Sequence, residues 1–365
     1  EYYPLLKNSL LEEKKSKAHV ASAWDLPNTE FQLQRGQINS VLVDNYLTIS
    51  QSLGNPVFNS LNTSYLKQRI QLMENFSQQQ ELKLKWQVLG LYEKMVAAKQ
   101  KHRWMLEENR ILRELARITD LQQKQGATDT LTAIAVNRML ALSDQLLLKW
   151  YASYTELMNS MQVLTGLTQY IIPANDSVQT LSSALMVELN SDSSSFPIIK
   201  QFEIERNLAQ KNLKVQSASF APTLNGGYFN QQLDHVNGFQ GFLIGVGVPI
   251  FSARNYSEVQ KARIQVDQAE NELVFQSQRL RSELSVLKEK TAQSYQIILQ
   301  YQNQLLPDAE RMVEQARLKY LAGDIGFYEF QLHFTQANAI RYSFIEEVLL
   351  HNQYVLAYAY LTGKL

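Results

Sequence analysis

His333 follows Glu329 by four residues, which places a carboxylate and an imidazole on one face of a helix at a spacing that can share a metal ion. Two ligands fall short of a site. The pair reads as polar groups on an exposed helical face, with His333 offering at most one weak metal contact. Met158 and Met161, three apart, read as packing rather than a thioether relay. The remaining histidines, His19, His102, His235 and His351, are scattered, and no H-E-x-x-H occurs. Gly245-Val-Gly247 imitates the start of a dinucleotide loop, with Asp267 further on, but Ile250 stands where the third glycine belongs. Neither a Walker loop nor a G-x-S-x-G elbow is present. Cysteine is absent, which removes thiol nucleophiles, thiolate metal sites and disulfides. With no nucleophile, base and cofactor assembled anywhere, the sequence argues against an enzyme and calls for no cofactor.

The 365 residues carry 35 Lys and Arg against 35 Asp and Glu, so no net field favours a polyanion and nucleic acid is not an expected partner. The 14 glycines and 8 prolines leave long stretches without a helix breaker, which points to a mostly helical chain. The chain opens at Glu1 with no charged n-region and apolar h-region behind it, so any targeting signal is expected to have been removed. No run of about 18 apolar residues exists, which excludes a membrane-spanning helix but not a β-barrel.

The same landmarks occur twice in the same order. Tyr3-Pro4-Leu5 answers to Phe196-Pro197-Ile198, and each opens a helical stretch ending at a second proline, Pro27 or Pro222. Two alternating strands follow in each copy, then a long helical run, a glycine (Gly126 or Gly323), and a second run ending at Leu164-Thr165-Gly166 or Leu361-Thr362-Gly363. The expected organisation is a first repeat over 1–166, with a strand pair at about 30–53 and a helical hairpin at about 57–165. A connector spans 167–193. The second repeat covers 194–365, with a strand pair at about 224–248 and a hairpin at about 253–362.

Helical runs of about 60 residues would each be roughly 90 Å long, which only a coiled-coil or tube-like assembly accommodates. Val259, Ala262, Val266, Ala269, Leu273, Leu280 and Leu287 keep a heptad frame on one leg. Phe327, Phe330, Phe334, Ala337, Phe344, Val348 and Val355 keep it on the return leg. In the strands, Phe242, Ile244, Val246 and Val248 alternate with Leu243, Gly245 and Gly247, and Leu47, Ile49 and Leu53 with Thr48, Ser50 and Ser52. Four strands of about ten residues are the right length for a bilayer but too few to close a barrel. Several chains must pool them: two would give eight strands and a filled lumen, three would give twelve and an aqueous bore. The glycines then sit where bulk would narrow the bore.

With these features in place the chain resembles the TolC-like outer-membrane efflux proteins over nearly its whole length. The resemblance is carried by Tyr3-Pro4 and Phe196-Pro197, Phe220-Ala-Pro222-Thr-Leu224, Gly247-Val-Pro249-Ile-Phe251, Leu306-Pro307, the stretch RLKYLAGDIGFYEF and Leu361-Thr-Gly363. The segment GYFNQQLDHVNGFQGFLIGVGVPIF looks nearest the heavy-metal branch, similar to CzcC and CusC. The resemblance implies a homotrimer with a 12-stranded barrel in outer-membrane lipid and a 12-helix periplasmic tube. It also implies a periplasmic adaptor and an inner-membrane resistance-nodulation-division pump as partners, and no chemistry in the duct itself. It places a periplasmic gate at the hairpin tips, with Glu329 six residues past the tip glycine, Asp324 beside that glycine, and Thr132 and Asp129 in the first repeat. Gly126 and Gly323 would mark the tips that meet the adaptor, and Pro249 the passage from barrel to helix. Drug efflux and type I protein secretion stay open within the family. A non-transporting helical scaffold is the competing reading.

Overall fold

A computed structural model describes residues 3–182, 196–233 and 236–365. The order of elements is α1 (Pro4–His19), a 3-10 turn (Val20–Trp24), β1 (Glu30–Gly36), β2 (Asp44–Gly54), α2 (Pro56–Lys124) and α3 (Thr130–Thr165). After the connector come α4 (Pro197–Ser217), a 3-10 turn (Ala218–Phe220), β3 (Thr223–Leu233), β4 (Val236–Gly247), α5 (Ala253–Gln300), a π turn (Tyr301–Leu305), α6 (Leu306–Ala322) and α7 (Phe327–Thr362). The chain is mostly helical with one small sheet. It divides into two compact units, one formed by Leu5–Gln79 and Ser193–Arg279, the other by Glu1–Pro4, Gln80–Asp192 and Leu280–Leu365.

The first unit holds the sheet, whose strands run antiparallel in the order β1-β2-β3-β4. Directly paired residues of an antiparallel sheet share a face. The register couples Leu33 to Leu47 and Phe31 to Ile49, then Ile49 to Tyr228 and Tyr228 to Phe242. Bulges interrupt the ladders at Ser52/Gly54 and Gln231/Leu233. Below the strands the chain is pinned by two asparagines. Asn55 donates through Nδ2 to the carbonyls of Ala218 and Ala221 at 2.7 and 3.0 Å, and Asn255 to that of Ser219 at 3.1 Å. Asn55 Oδ1 also accepts from the Phe58 amide at 3.0 Å, which satisfies a free N–H at the start of α2.

The second unit is built on helical hairpins. Its core gathers Leu112 and Leu115 of α2, Val136 of α3, Ala309 and Val313 of α6, and Phe330, Phe334 and Ala337 of α7, all buried. The heptad frame on the return leg marks the buried stripe of α7: Phe327, Phe330, Phe334 and Ala337 join this core, and Phe344, Val348 and Val355 are buried beyond it. On α5, Ala262 and Leu280 are buried and the other five frame positions are half-buried.

Two features depart from expectation. The long run after β4 is not one regular helix: the π turn precedes α6, with Pro307 in its first turn, where proline's missing N–H leaves no intrahelical bond unmade. And α3 is, by length and composition, long and apolar enough to cross a membrane, although the sequence reading excluded any such helix. Arg138 and Asp144 interrupt its apolar stretch and hide it from a search for an unbroken run. In the fold α3 is a hairpin leg, tied to α2 by Arg113–Asp144 at 2.5 Å and by Asn109 Nδ2 donating to Ser143 Oγ at 3.1 Å.

Candidate functional site

The sheet has two unlike faces. One carries Phe31, Leu33, Leu47, Ile49, Leu224, Tyr228, Phe242, Ile244 and Val246, as the register requires. Phe31 is 73% exposed, Phe242 84% and Ile244 90%, so this apolar face lies bare on the single chain. The other face carries Glu30, Gln32, Gln34, Thr48, Ser50, Ser52, Asn225 and Gln231. Its apolar members include Tyr46 and Phe229, whose rings lie 5.8 Å apart, and Phe239 and Leu243 of β4.

Glycines on this polar face answer to cross-strand neighbours. A Cβ on Gly241 would stand 2.7 Å from the Phe229 ring, its direct partner, so the glycine lets that ring lie flat across β4. A Cβ on Gly247 would meet Thr223 Oγ1 at 2.6 Å. Gly245 has ordinary room, with Asn225 Cβ at 3.7 Å. The ladder ends at the pair Thr223–Gly247, two residues before Pro249, so Pro249 removes no sheet hydrogen bond.

The hairpin tips belong to the other unit and differ from each other. At the first, Gly126 takes φ of 73°, a left-handed value that glycine adopts without strain. The Ala127 amide there returns to the Gln122 carbonyl at 2.8 Å. Asp129 then caps α3, accepting from the Thr132 amide at 2.9 Å and the Thr132 hydroxyl at 2.7 Å. The hydroxyl bond and then the amide bond hold the Asp129 carboxyl below the usual range. Two of the residues expected at a gate are thus joined in a helix cap.

At the second tip Gly323 has φ of 82° and the Asp324 amide returns to the Lys319 carbonyl at 2.9 Å. Gly326 occupies the cap position of α7 and offers no side chain. Glu329, exposed in the first turn, stands where the helix dipole favours negative charge. Asp324 is exposed and His333 half-buried; among the described residues neither these side chains nor Glu329 forms a hydrogen bond or ion pair. No group of three or more His, Cys, Asp or Glu able to hold a metal occurs among the described residues. Beneath this tip the rings of Tyr320, Phe327, Phe330 and Phe334 cluster, Tyr320–Phe330 tilted at 5.4 Å and Phe330–Phe334 stacked at 5.2 Å.

Sequence reasoning missed a third constellation. The connector, read as aperiodic, is fastened to the helices by side chains. Lys99 Nζ donates to the Pro173 carbonyl at 3.1 Å and Gln100 Oε1 accepts from the Val178 amide at 2.7 Å. Asn352 and His351, both buried, take Gln179 and Leu181. The available signal was the pair His351-Asn352, set in the otherwise apolar end of α7.

No family model matches the sequence, and no curated protein does. Solved structures match over almost the whole chain. CusC, whose conformational changes accompany folding and transmembrane channel formation, aligns with a TM-score of 0.80 at 17% identity, covering 97% of this chain and 88% of its own. The outer-membrane channel OprN aligns at 0.83 and 14% identity, over 98% and 86%. The Campylobacter jejuni CmeC outer membrane channel aligns at 0.78 and 14% identity, over 98% and 83%. At these identities the likeness is one of fold: the chain folds as outer-membrane channel subunits do.

Proposed function

We propose that the chain is one third of a trimeric outer-membrane channel, the exit duct of a tripartite efflux system driven by a resistance-nodulation-division pump. The observation that carries the reading is the two-faced sheet. A bare apolar face backed by a polar one suits a wall between lipid and water, and β1 and β4 leave two unpaired edges. Lipid forbids open edges, so other copies must pair them, and three copies make twelve strands around a bore. The shared fold supports the same reading.

In this reading the chain consists of two repeats, 1–166 and 194–365, joined by a connector at 167–193. Pro249 marks the exit from barrel to helix, and the turns at Gly126 and Gly323 meet a periplasmic adaptor. Three copies of Glu329 form a ring of carboxylates at the narrow end, which attracts cations and repels anions. Asp324 adds charge to it, while Asp129 and Thr132 hold the first tip in shape. Heavy-metal cations are the cargo, on the strength of the sequence resemblance in β3 and β4, with His333 a weak contact along the way.

The test is deletion of the gene, with sensitivity compared for copper, silver, zinc, cobalt, detergents and drugs. Sensitivity to metals is expected, and sensitivity confined to organic compounds removes the metal assignment. Extraction only by detergent, as a heat-sensitive trimer, is expected for the channel. A water-soluble monomer sinks it in favour of a helical scaffold.

A further inference from the structure

In the second unit α2 has its own chain on both sides. Trp150 of α3 donates through Nε1 to the Ala98 carbonyl at 2.8 Å, and Trp86 stacks on Tyr360 of α7 at 5.2 Å. Between these neighbours lies a trough of about 1070 Å³, floored by Trp86, Gly90 and Leu91 and walled by Val163 of α3 and by Tyr354 and Leu356 of α7. Gly90 opens its floor. It is the one glycine of α2, in a helix interior that glycine weakens relative to alanine, yet a Cβ on it would meet nothing within 4 Å. No clash within the chain calls for a glycine there. The other half of the chain carries no such gap, since Leu284 answers Gly90 at a spacing of 194 and Leu287 at 197.

We propose that this trough is a binding site in the duct wall for an amphipathic organic molecule with a flat aromatic part and no net charge. The proposal rests on the channel reading and is independent of the metal assignment. Position argues for a ligand travelling along the bore. Counted at about 100° per residue, the trough positions on α2 and α7 point opposite to Lys99, Gln100, His351 and Asn352, which hold the connector. A connector laid across a bore would obstruct it, so the bore lies on the trough side. Because α3 and α7 flank α2, a second copy pairing at the outer helices does not reach the floor. Chemistry sets the class of ligand. Aromatic and aliphatic walls with a few polar groups, around a volume of this size, suit an organic molecule rather than a bare ion. Lys94 and Glu156, both lining the trough, exposed and unpaired among the described residues, offset each other and disfavour a ligand of either net charge.

The full-length protein in lipid nanodiscs is titrated with N-phenyl-1-naphthylamine, an uncharged aromatic probe, and energy transfer from tryptophan is read against empty nanodiscs. Saturable transfer is expected, and Trp86→Phe should abolish it by removing the donor. Gly90→Leu, which installs the residue found at the matching positions of the other half, should fill the trough and weaken binding by about tenfold or more. If Gly90→Leu assembles as the parent does and binds the probe equally well, the trough is not the site although the channel stands. The absence of saturable transfer in an intact parent trimer overturns the proposal in the same way. Should Gly90→Leu fail to assemble, Val163→Arg, at a wall position 72% exposed, must weaken binding in its place, and unchanged binding there overturns the site. Acrylamide quenching of Trp86 in the probe-free trimer, taken as the difference from Trp86→Phe, should be efficient. A shielded Trp86 means that a second copy covers the trough, and the proposal fails. A water-soluble monomer overturns the channel reading, and the ligand's route with it.

Discussion

Asn352 Nδ2 on α7 donates to Glu93 Oε2 on α2 at 2.6 Å, across 259 positions of sequence, and the asparagine is fully buried. The same amide group donates to the Gln179 carbonyl at 2.8 Å, and its oxygen accepts from the Leu181 amide at 2.9 Å. One side chain therefore fastens two helices and the connector between the halves of the chain.

Asn352→Ala should leave a carboxylate, a carbonyl and an amide without their partner. The expected loss is about 1 to 2 kcal/mol, read as a lowered midpoint in thermal unfolding, because Glu93 and Leu181 are half-buried and Gln179 exposed, so water takes up part of what the asparagine gave. Limited proteolysis should open first within the connector before Leu181. An unchanged midpoint would mean that the clasp is not a source of stability.

Glu108 on the same helix as Glu93 is half-buried, and this burial raises its carboxyl above the usual range against the hydrogen bond from Tyr342 at 2.8 Å. A raised carboxyl contributes most to folded stability below its unfolded value, and that contribution is lost as pH rises through its folded value. Glu108→Gln keeps an acceptor for Tyr342 without the charge. The variant should therefore gain stability relative to the parent as pH is taken from about 4 to 7 in thermal unfolding. A parallel pH dependence in the two proteins would refute the assignment.

Phe330 and Glu329 are neighbours with opposite expected outcomes. Phe330 is fully buried at the centre of the tip core, so Phe330→Ala should cost about 3 to 5 kcal/mol. Glu329 is exposed, so Glu329→Gln should leave the unfolding midpoint where it is. In planar bilayers that variant should weaken cation preference and resting closure, as expected of a lost carboxylate ring. Conductance indistinguishable from the parent would remove Glu329 from the gate.

Gly241→Ala should press a methyl group into the Phe229 ring and destabilise the sheet by about 1 to 3 kcal/mol. Combining it with Phe229→Ala should recover part of that loss, since the second change removes the clashing ring. Simple addition of the two single effects, measured by urea unfolding in detergent, would show that the pair does not interact.

Much of this arrangement was legible before any coordinates. Prolines and glycines bracketed the elements, the seven return-leg positions of α7 named its buried stripe, and alternation in β4 separated Phe242, Ile244 and Val246 from their neighbours. What stayed hidden depends on register between distant segments. Nothing near Gly241 announces that Phe229 will lie across it, and a glycine there reads as room in a bore rather than room for a ring. The spacing of Asp129 to Thr132 says nothing about which group the carboxylate meets; in the fold the pair forms the cap of α3. The connector looked loose because its bonds come from side chains of α2 and α7, which composition cannot show.

The π turn has a further meaning. The leg from Ala253 to Ala322, made of segments of 48, 5 and 17 residues, is one residue longer than α2 with 69. A π turn is how a helix absorbs a single surplus residue without losing its course. Beyond it the two legs keep step: Leu112, Ala116 and Thr119 are buried, and so are Ala309, Val313 and Ala316, each 197 positions later. Earlier in the chain Arg69-Ile70-Gln71 recurs as Arg263-Ile264-Gln265 only 194 positions on. The turn thus takes up one of the three residues by which the second leg outruns the first between these landmarks.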